Sequence, residues 1–285
     1  MVRMAMSRPI DVLHLGRERV ICAFEIDGLI VDPGPSSAVE NMLRELSEPP
    51  RALLLTHIHL DHAGATGTLV RRWPSLQVYV HERGAPHLVD PSKLLRSAGQ
   101  LYGDDMDRLW GEVLPVPEEN LHVLSGGETV HGFRVAYTPG HASHHVCYFH
   151  EACGDAYVGD VAGVRIPPSD FTLAPTPPPD IDVEAWLSSL DAVAGFSPDR
   201  LCLTHFGFVE SVADQLDTMR DTLRRWAELA RESGQERFVA AIEEEVRAHA
   251  DPETAAAFIQ AAPPDQLYQG LTRYWSKKAE KEAVR

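Results

Sequence analysis

Thr56-His57-Ile58-His59-Leu60-Asp61-His62 follows directly on the apolar run Ala52-Leu53-Leu54-Leu55. Three imidazoles and a carboxylate crowd the C-terminal end of a short buried strand, a density that a plain polar loop rarely carries. Side chains two apart on an extended chain point the same way, so His57 and His59 can grip one metal ion. Asp61 and His62 lie in the turn beyond and can reach a second ion. Later apolar runs close on further donors. His141 ends Tyr137-Thr138-Pro139-Gly140-His141, Asp160 ends Tyr157-Val158-Gly159-Asp160, and His205 ends Leu203-Thr204-His205. In each, a Gly or Thr lets the chain turn and present a donor.

Around this stretch strand and helix signals alternate. Residues 19–26 and 28–31 read as strands about an Asp27-Gly28 turn, and Asp32-Pro33-Gly34 stops the second. A helix is predicted from Ser37, with Val39, Met42, Leu43 and Leu46 on one face and Pro49-Pro50 at its end. Further strands are predicted over 76–80, 121–124, 128–137, 145–149, 156–158 and 201–203. Residues 84–120 read as an insertion with helical pieces over 92–100 and 104–111. The six prolines between 167 and 179 exclude regular structure there. Asp182 reads as the cap of a helix with Trp186, Leu187, Leu190 and Val193 as its core stripe.

After Phe208 the texture becomes helical. Val212, Leu216, Met219, Leu223, Trp226 and Leu229 keep three-and-four spacing over 211–232, and Phe238, Ile242 and Val246 mark a second helix. Asp251-Pro252 is an N-cap with proline in the first helical position, and Leu267, Leu271, Tyr274 and Trp275 mark a terminal helix. The reading is an α/β catalytic domain over 1–208 and a C-terminal helical extension over 209–285.

Composition narrows the possible partners. Among 285 residues, 26 Lys and Arg stand against 42 Asp and Glu, a net charge of −16. Nucleic-acid binding needs a basic stripe to neutralise phosphates, so no nucleic-acid partner is expected. No apolar run approaches the roughly 18 residues of a membrane helix. Residues 1–11 carry Arg3 and Arg8 but no apolar core of a signal peptide. Cys22, Cys147, Cys153 and Cys202 form no Cys-x-x-Cys pair, and three of them sit in apolar segments. They read as reduced thiols, which points to the cytoplasm.

In this order the segments resemble the metallo-β-lactamase superfamily over about residues 10–208. The resemblance rests on His57-x-His59-x-Asp61-His62, Thr138-Pro139-Gly140-His141, Gly159-Asp160 and His205. It also includes Val31-Asp32-Pro33-Gly34, similar to the family's Val-Asp-x-Gly turn under the site. It implies an αββα sandwich with the site at one edge, between two sheets. Carried onto these positions, His57, His59 and His141 hold a first metal, Asp61, His62 and His205 a second, and Asp160 bridges them. Asp32 would orient a ligand histidine by accepting its other N–H. His145 corresponds to a supporting histidine, with His144 beside it, and Arg165 is a candidate substrate contact. Two divalent transition metals are implied, zinc foremost, with iron and manganese also suited to mixed imidazole and carboxylate donors.

Such a pair lowers the pKa of a bridging water and stabilises an oxyanion at carbon or phosphorus. Asp61, in the turn, is the ligand best placed to touch that nucleophile. The complete donor set is similar to thioesterases of the glyoxalase II type, to lactonases and to small phosphodiesterases. Asp160-Val161-Ala162-Gly163-Val164-Arg165 departs from the Gly-Cys-Gly-Arg segment of glyoxalase II proper, and Phe171 stands where lactonases place a tyrosine. Hydrolysis of a small ester, thioester or lactone is expected. Phosphodiester or nucleotide hydrolysis comes second, and a metal-holding sensor without turnover is the reading from another class. Residues 84–120, the 167–179 loop and the tail are expected to wall the pocket. Trp226, Tyr268, Tyr274 and Trp275 are expected to form core or the interface of a homo-oligomer.

Overall fold

The computed structural model describes residues 6–283; residues 1–5, with Arg3 of the N-terminal stretch, lie outside the described residues. One sheet holds β1 (Arg8–Asp11), β2 (Cys22–Ile26), β3 (Leu29–Val31), β4 (Ala52–Leu54), β5 (Gln77–His81) and β6 (Leu121–Leu124), side by side in chain order. Pairing is antiparallel from β1 to β3 and parallel from β3 to β6. The other sheet holds β7 (Thr129–Val130), β8 (Phe133–Tyr137), β9 (Val146–His150), β10 (Asp155–Gly159), β11 (Arg200–Leu203) and β12 (Gly207–Val209). It is antiparallel except between β10 and β11.

Helices fill the connections. α1 (Val39–Glu45), α2 (Leu60–Ala63) and α3 (Thr66–Arg72) lie between strands of the first sheet, followed by α4 (Ala85–Val89), α5 (Ser92–Tyr102) and α6 (Met106–Trp110) in the insertion. α7 (Val183–Gly195) precedes β11, and α8 (Val212–Glu232), α9 (Gln235–His249), α10 (Pro252–Ala261) and α11 (Pro264–Ala283) form the tail. Asp182 and Asp251 cap α7 and α10, each carboxylate accepting from backbone N–H groups of the first turn at 3.0 Å.

Strand periodicity sorts the side chains into layers. Phe24, Leu29, Val31 and Leu54 meet Phe133, Val135, Tyr148 and Tyr157 of the other sheet in an inner core. Their neighbours Ala23, Ile30 and Leu53 face outward to Met42 of α1 and Leu69 of α3. Val158 and Leu201 likewise share a core with Trp186 and Leu190 of α7 and Met219 of α8. The layers are therefore helix, sheet, sheet, helix, the sandwich that the resemblance implies.

Two local features differ from the sequence reading, whereas the cysteines follow it. The strand expected over 128–137 is the hairpin β7–β8, because His131 and Gly132 take φ of 50° and 85° and turn the chain back. β1 and β12 are short edge strands without a sequence signal, and β1 contains Pro9, which only an edge tolerates. Cys22, Cys147 and Cys202 are free and buried, and Cys153 is free and half-buried. Among the described residues no helix is long and apolar enough to cross a membrane.

The tail docks onto the proline-rich loop. Thr176 Oγ1 donates to Leu267 O at 3.1 Å. At Gly270 an added Cβ would lie 1.9 Å from the Thr176 carbonyl oxygen, so α11 comes this close only on a residue without a side chain. Gly270→Ala is expected to cost about 1–3 kcal/mol as an overpacked contact. Gly99→Ala, on α5 with nothing within 4 Å of the new methyl, should gain up to about 1 kcal/mol. Denaturant midpoints of the two variants check the contrast.

Candidate metal centre

The backbone after β4 stays extended to His59, whose φ of −60° and ψ of 150° precede α2. His57 and His59 thus stand on one side, and the single turn of α2 lifts Asp61 and His62 alongside them. The ends of β8, β10 and β11 bring His141, Asp160 and His205 to the same edge of the sandwich. His57 Nε2 and His141 Nε2 each lie 3.0 Å from His59 Nδ1. Asp160 Oδ2 is 3.2 Å from His141 Nε2, while its Oδ1 is 3.2 Å from His62 Nε2 and 3.7 Å from His205 Nε2. Asp61 Oδ2 is 3.2 Å from His205 Nε2 and 3.8 Å from His62 Nε2. Two groups of donors result, His57, His59, His141 and Asp160 in one and Asp61, His62 and His205 in the other. In each group the donor atoms lie within 4.8 Å of one another.

Outer partners aim these rings. His62 Nδ1 donates to Asp32 Oδ2 at 2.8 Å, His141 Nδ1 to Pro175 O at 2.8 Å, and His205 Nδ1 to Val20 O at 2.5 Å. His57 Nδ1 donates to Thr56 Oγ1 at 3.1 Å, and that hydroxyl passes its own proton to Asp32 at 2.6 Å. Each of these four rings therefore turns Nε2 toward the centre, the arrangement that metal-binding imidazoles use. Asp32 is fully buried, takes the left-handed φ of 49°, and also accepts from Thr56 N and Thr204 Oγ1. It ties the end of β4, the end of β11 and α2 together. Asp32→Ala is expected to weaken metal affinity about 10–100-fold, as removing such partners does, and chelator competition measures it.

The electrostatics ask for cations. Burial and the neighbouring imidazoles push the His57 ring well below its usual range, and burial with His141 nearby pushes His59 down to about 4, so both stay neutral donors. Burial would raise the Asp160 and Asp61 carboxyls, but the surrounding histidines hold both down, so they stay ionised. Burial also works against protonation of His62 and His205; the charges of Asp160 and Asp61 outweigh it and push both upward. Asp32 and Asp160 are buried, Asp61 is partly buried beside them, and no Lys or Arg is buried among the described residues. Asp160 Oδ1 and His62 Nε2 are buried 3.2 Å apart, and neither has a hydrogen-bond partner. An ion about 2.0–2.1 Å from tetrahedral donors separates them by about 3.3 Å, close to the spacings seen here. The donor chemistry and the unpartnered atoms both fit divalent transition-metal ions.

The remaining sequence candidates fall nearby. His145 Nδ1 meets Thr138 Oγ1 at 2.9 Å, and its ring stacks on His57 with centroids 5.0 Å apart, so it backs that ligand. His144 is buried with its ring 5.8 Å from His59 and Nδ1 unpartnered. Arg165 departs from the substrate contact read in the sequence. Its Nη1 donates to Gln215 Oε1 of α8 at 3.0 Å, and it does not line the cavity at the metal end. Its backbone exchanges hydrogen bonds with His205 and Phe206, which makes it a brace for the His205 turn.

That cavity holds about 480 Å³ and opens from His59, Asp61 and Asp160. Its walls come from α5 and α6, from residues 175–179, and from α10 and the start of α11. His14 is a wall residue that sequence spacing did not reveal. It stacks on Trp110 at 5.5 Å, and its Nε2 meets Leu109 O at 2.8 Å. Gln260 Nε2 donates to His14 O at 3.0 Å. These partners lie far away in sequence, so no local pattern carries them.

Comparison with known proteins agrees with this geometry. Residues 26–205 match the family described as the metallo-beta-lactamase superfamily. A hydroxyacylglutathione hydrolase of Salmonella paratyphi A is 31% identical over 134 residues, 45% of this chain and 41% of that protein. One from Klebsiella pneumoniae subsp. pneumoniae is 32% identical over 130 residues, with the same shares. The matched part thus spans about two fifths of the length of these curated relatives. An archaeal metallo-beta-lactamase superfamily protein from Sulfolobus tokodaii shares the fold with a TM-score of 0.71 at 21% identity, over 95% of this chain and 99% of that one. A metallo-beta-lactamase family protein from Thermus thermophilus gives 0.65 at 20% identity, over 98% and 94%. With the match running from β2 through His205 and the motif donors gathered at one sandwich edge, this chain belongs to the metallo-beta-lactamase superfamily.

Proposed function

We propose that this chain is a metal-dependent hydrolase with a dinuclear centre, acting on a small ester, thioester or lactone. The observation that carries the reading is Asp160, which turns one carboxylate oxygen to each donor group at the floor of an apolar-walled cavity. His57, His59 and His141 would hold one ion, Asp61, His62 and His205 the other, with Asp160 between them. When bound, such ions supply a water-derived nucleophile at neutral pH and Lewis-acid stabilisation of an oxyanion. Zinc is the first candidate, with iron and manganese compatible with the donors.

The chain's own residues supply position and proton handling. Asp32, Thr56 and the carbonyls of Pro175 and Val20 lock the ligand rings so that the donors need little rearrangement. Asp61 is the ligand carboxylate with the larger exposure, 19% against 5% for Asp160, and it faces the cavity. It is the group placed to take a proton during attack and to return it to the leaving group. The name of the hydroxyacylglutathione hydrolases supports a thioester among the candidate substrates. The net charge of −16 disfavours long polyanions, so a small molecule is the partner proposed. We assign catalysis to residues 1–208 and a wall-forming role to 209–285, and the free cysteines support a reducing cytoplasm.

Elemental analysis of the purified protein should give about two transition metals per chain. The same sample is then tested on thioesters, esters, lactones, β-lactams and bis-aryl phosphodiesters. Carbonyl substrates are expected to lead. A phosphodiester turned over at least about tenfold better than every carbonyl substrate would overturn the assignment.

A further inference from the structure

We infer that the cavity beside the metal centre is a binding site for an apolar acyl chain, and that Leu94, Leu101, Trp110 and Leu267 set the chain length it accepts. The inference rests on the hydrolase reading for the chemistry at the cavity floor, and on the walls for the chain. Most polar side chains of the wall are engaged in hydrogen bonds, with Ser97 on the exposed side of α5 the exception. His14 meets Leu109 O through Nε2 and faces the Gln260 amide through Nδ1 at 3.3 Å. Gln260 Oε1 accepts from Arg17 Nε at 2.8 Å. Tyr102 Oη donates to Gln266 Oε1 at 3.3 Å, joining α5 to α11 across the cavity. Away from the floor and rim, the surface facing the interior is mainly aliphatic and aromatic, together with prolines of the 175–179 segment.

Charge points the same way. Among the described residues Arg108 is the single Arg or Lys that lines the cavity. Its side chain is 58% exposed and pairs with Asp105 at 2.9 Å, so it belongs to the rim and is already engaged. Asp61 and Asp160 contribute negative charge at the floor. A glutathione thioester brings two carboxylates of its own, and this wall offers no free cation to receive them. A neutral chain loses nothing by entering, and each methylene it buries is worth about fourfold in affinity. The volume of about 480 Å³ lies within the range of small-molecule sites.

Two measurements test this on the full-length, metal-loaded protein. The first is kcat/KM for acetyl, butyryl, hexanoyl and octanoyl thioesters of one uncharged thiol, beside S-lactoylglutathione. The second, independent of turnover, is titration with n-octanol followed by calorimetry. We expect the octanoyl-to-acetyl ratio to exceed about tenfold and octanol to bind at one site. Leu94→Trp narrows the cavity from a half-buried helix position and should lower both the ratio and octanol affinity at least about tenfold, with metal content unchanged. Leu101→Trp, also half-buried, serves if the first variant does not fold. Thioester turnover that is flat in chain length, or highest for S-lactoylglutathione, with no octanol binding, overturns the inference and leaves the hydrolase reading standing. Octanol binding that Leu94→Trp weakens, with none of the thioesters, esters, lactones, β-lactams and phosphodiesters turned over, upholds the apolar-chain site and overturns the hydrolase reading.

Discussion

Replacing Asp160 with alanine is expected to strip metal from both donor groups at once. Its Oδ2 faces His141 and its Oδ1 faces His62 and His205, each at 3.2–3.7 Å, so a single carboxylate closes both sets. Removing a hydrogen-bond partner of a ligand already costs about 10–100-fold in metal affinity, and removing a shared ligand should cost more than about a hundredfold at each ion. His57→Ala gives the contrast, because His57 belongs to one group only. It should leave close to half the wild-type metal after gel filtration against a weak chelator, whereas Asp160→Ala should leave almost none. Elemental analysis reads both. An Asp160→Ala protein that keeps its full metal complement would show that the two groups do not depend on a bridge.

Asp61→Asn should separate metal binding from turnover. The amide keeps the size of the carboxylate and an oxygen for the ion and for His205, which lies 3.2 Å away. It loses the negative charge and the ability to hold a proton between attack and leaving-group departure. Proton transfer by a positioned group is worth about 100- to 10,000-fold, so kcat should fall by that much while metal content stays well above that of Asp160→Ala. Rates at saturating metal decide this. An Asn variant with near wild-type kcat would place proton handling on another residue.

The His57–His62 cluster was legible in the sequence for a physical reason, whereas the allotment of seven candidate donors to two ions came with the family resemblance. The cluster sits where an apolar strand ends, and the period-two rule alone puts His57 and His59 on one side. The core stripes of α7 and α8 were legible in the same way, from three-and-four spacing. Contacts that close over long separations were not. His14 carries no motif, yet it fixes a cavity wall through Leu109 and Gln260, 95 and 246 residues away. The helices of the insertion could be read from their apolar spacing, but not that Tyr102 reaches Gln266. Arg165 followed Asp160 closely enough to suggest a place in the pocket, whereas its side chain turns to Gln215 on α8. The turn at His131-Gly132 was hidden because the flanking residues keep strand character on both sides.

The walls of the cavity come only partly from the stretch that builds its floor: α5, α6 and residues 175–179 lie within it, α10 and α11 beyond it. The floor is built by strand ends between residues 57 and 205, within the stretch matched to the superfamily, while α10 and α11 lie wholly outside it. If the acyl-chain reading holds, mutations in α10 and α11 would retune which molecule is admitted while the donors stay in place. For protein engineering, the segment after residue 251 brings its own part of the wall, with Phe258, Leu267 and Leu271 anchoring it in the main core. Grafting it onto a relative with the same floor should carry chain-length preference along with it, provided a glycine is retained at 270 for the seat against Thr176.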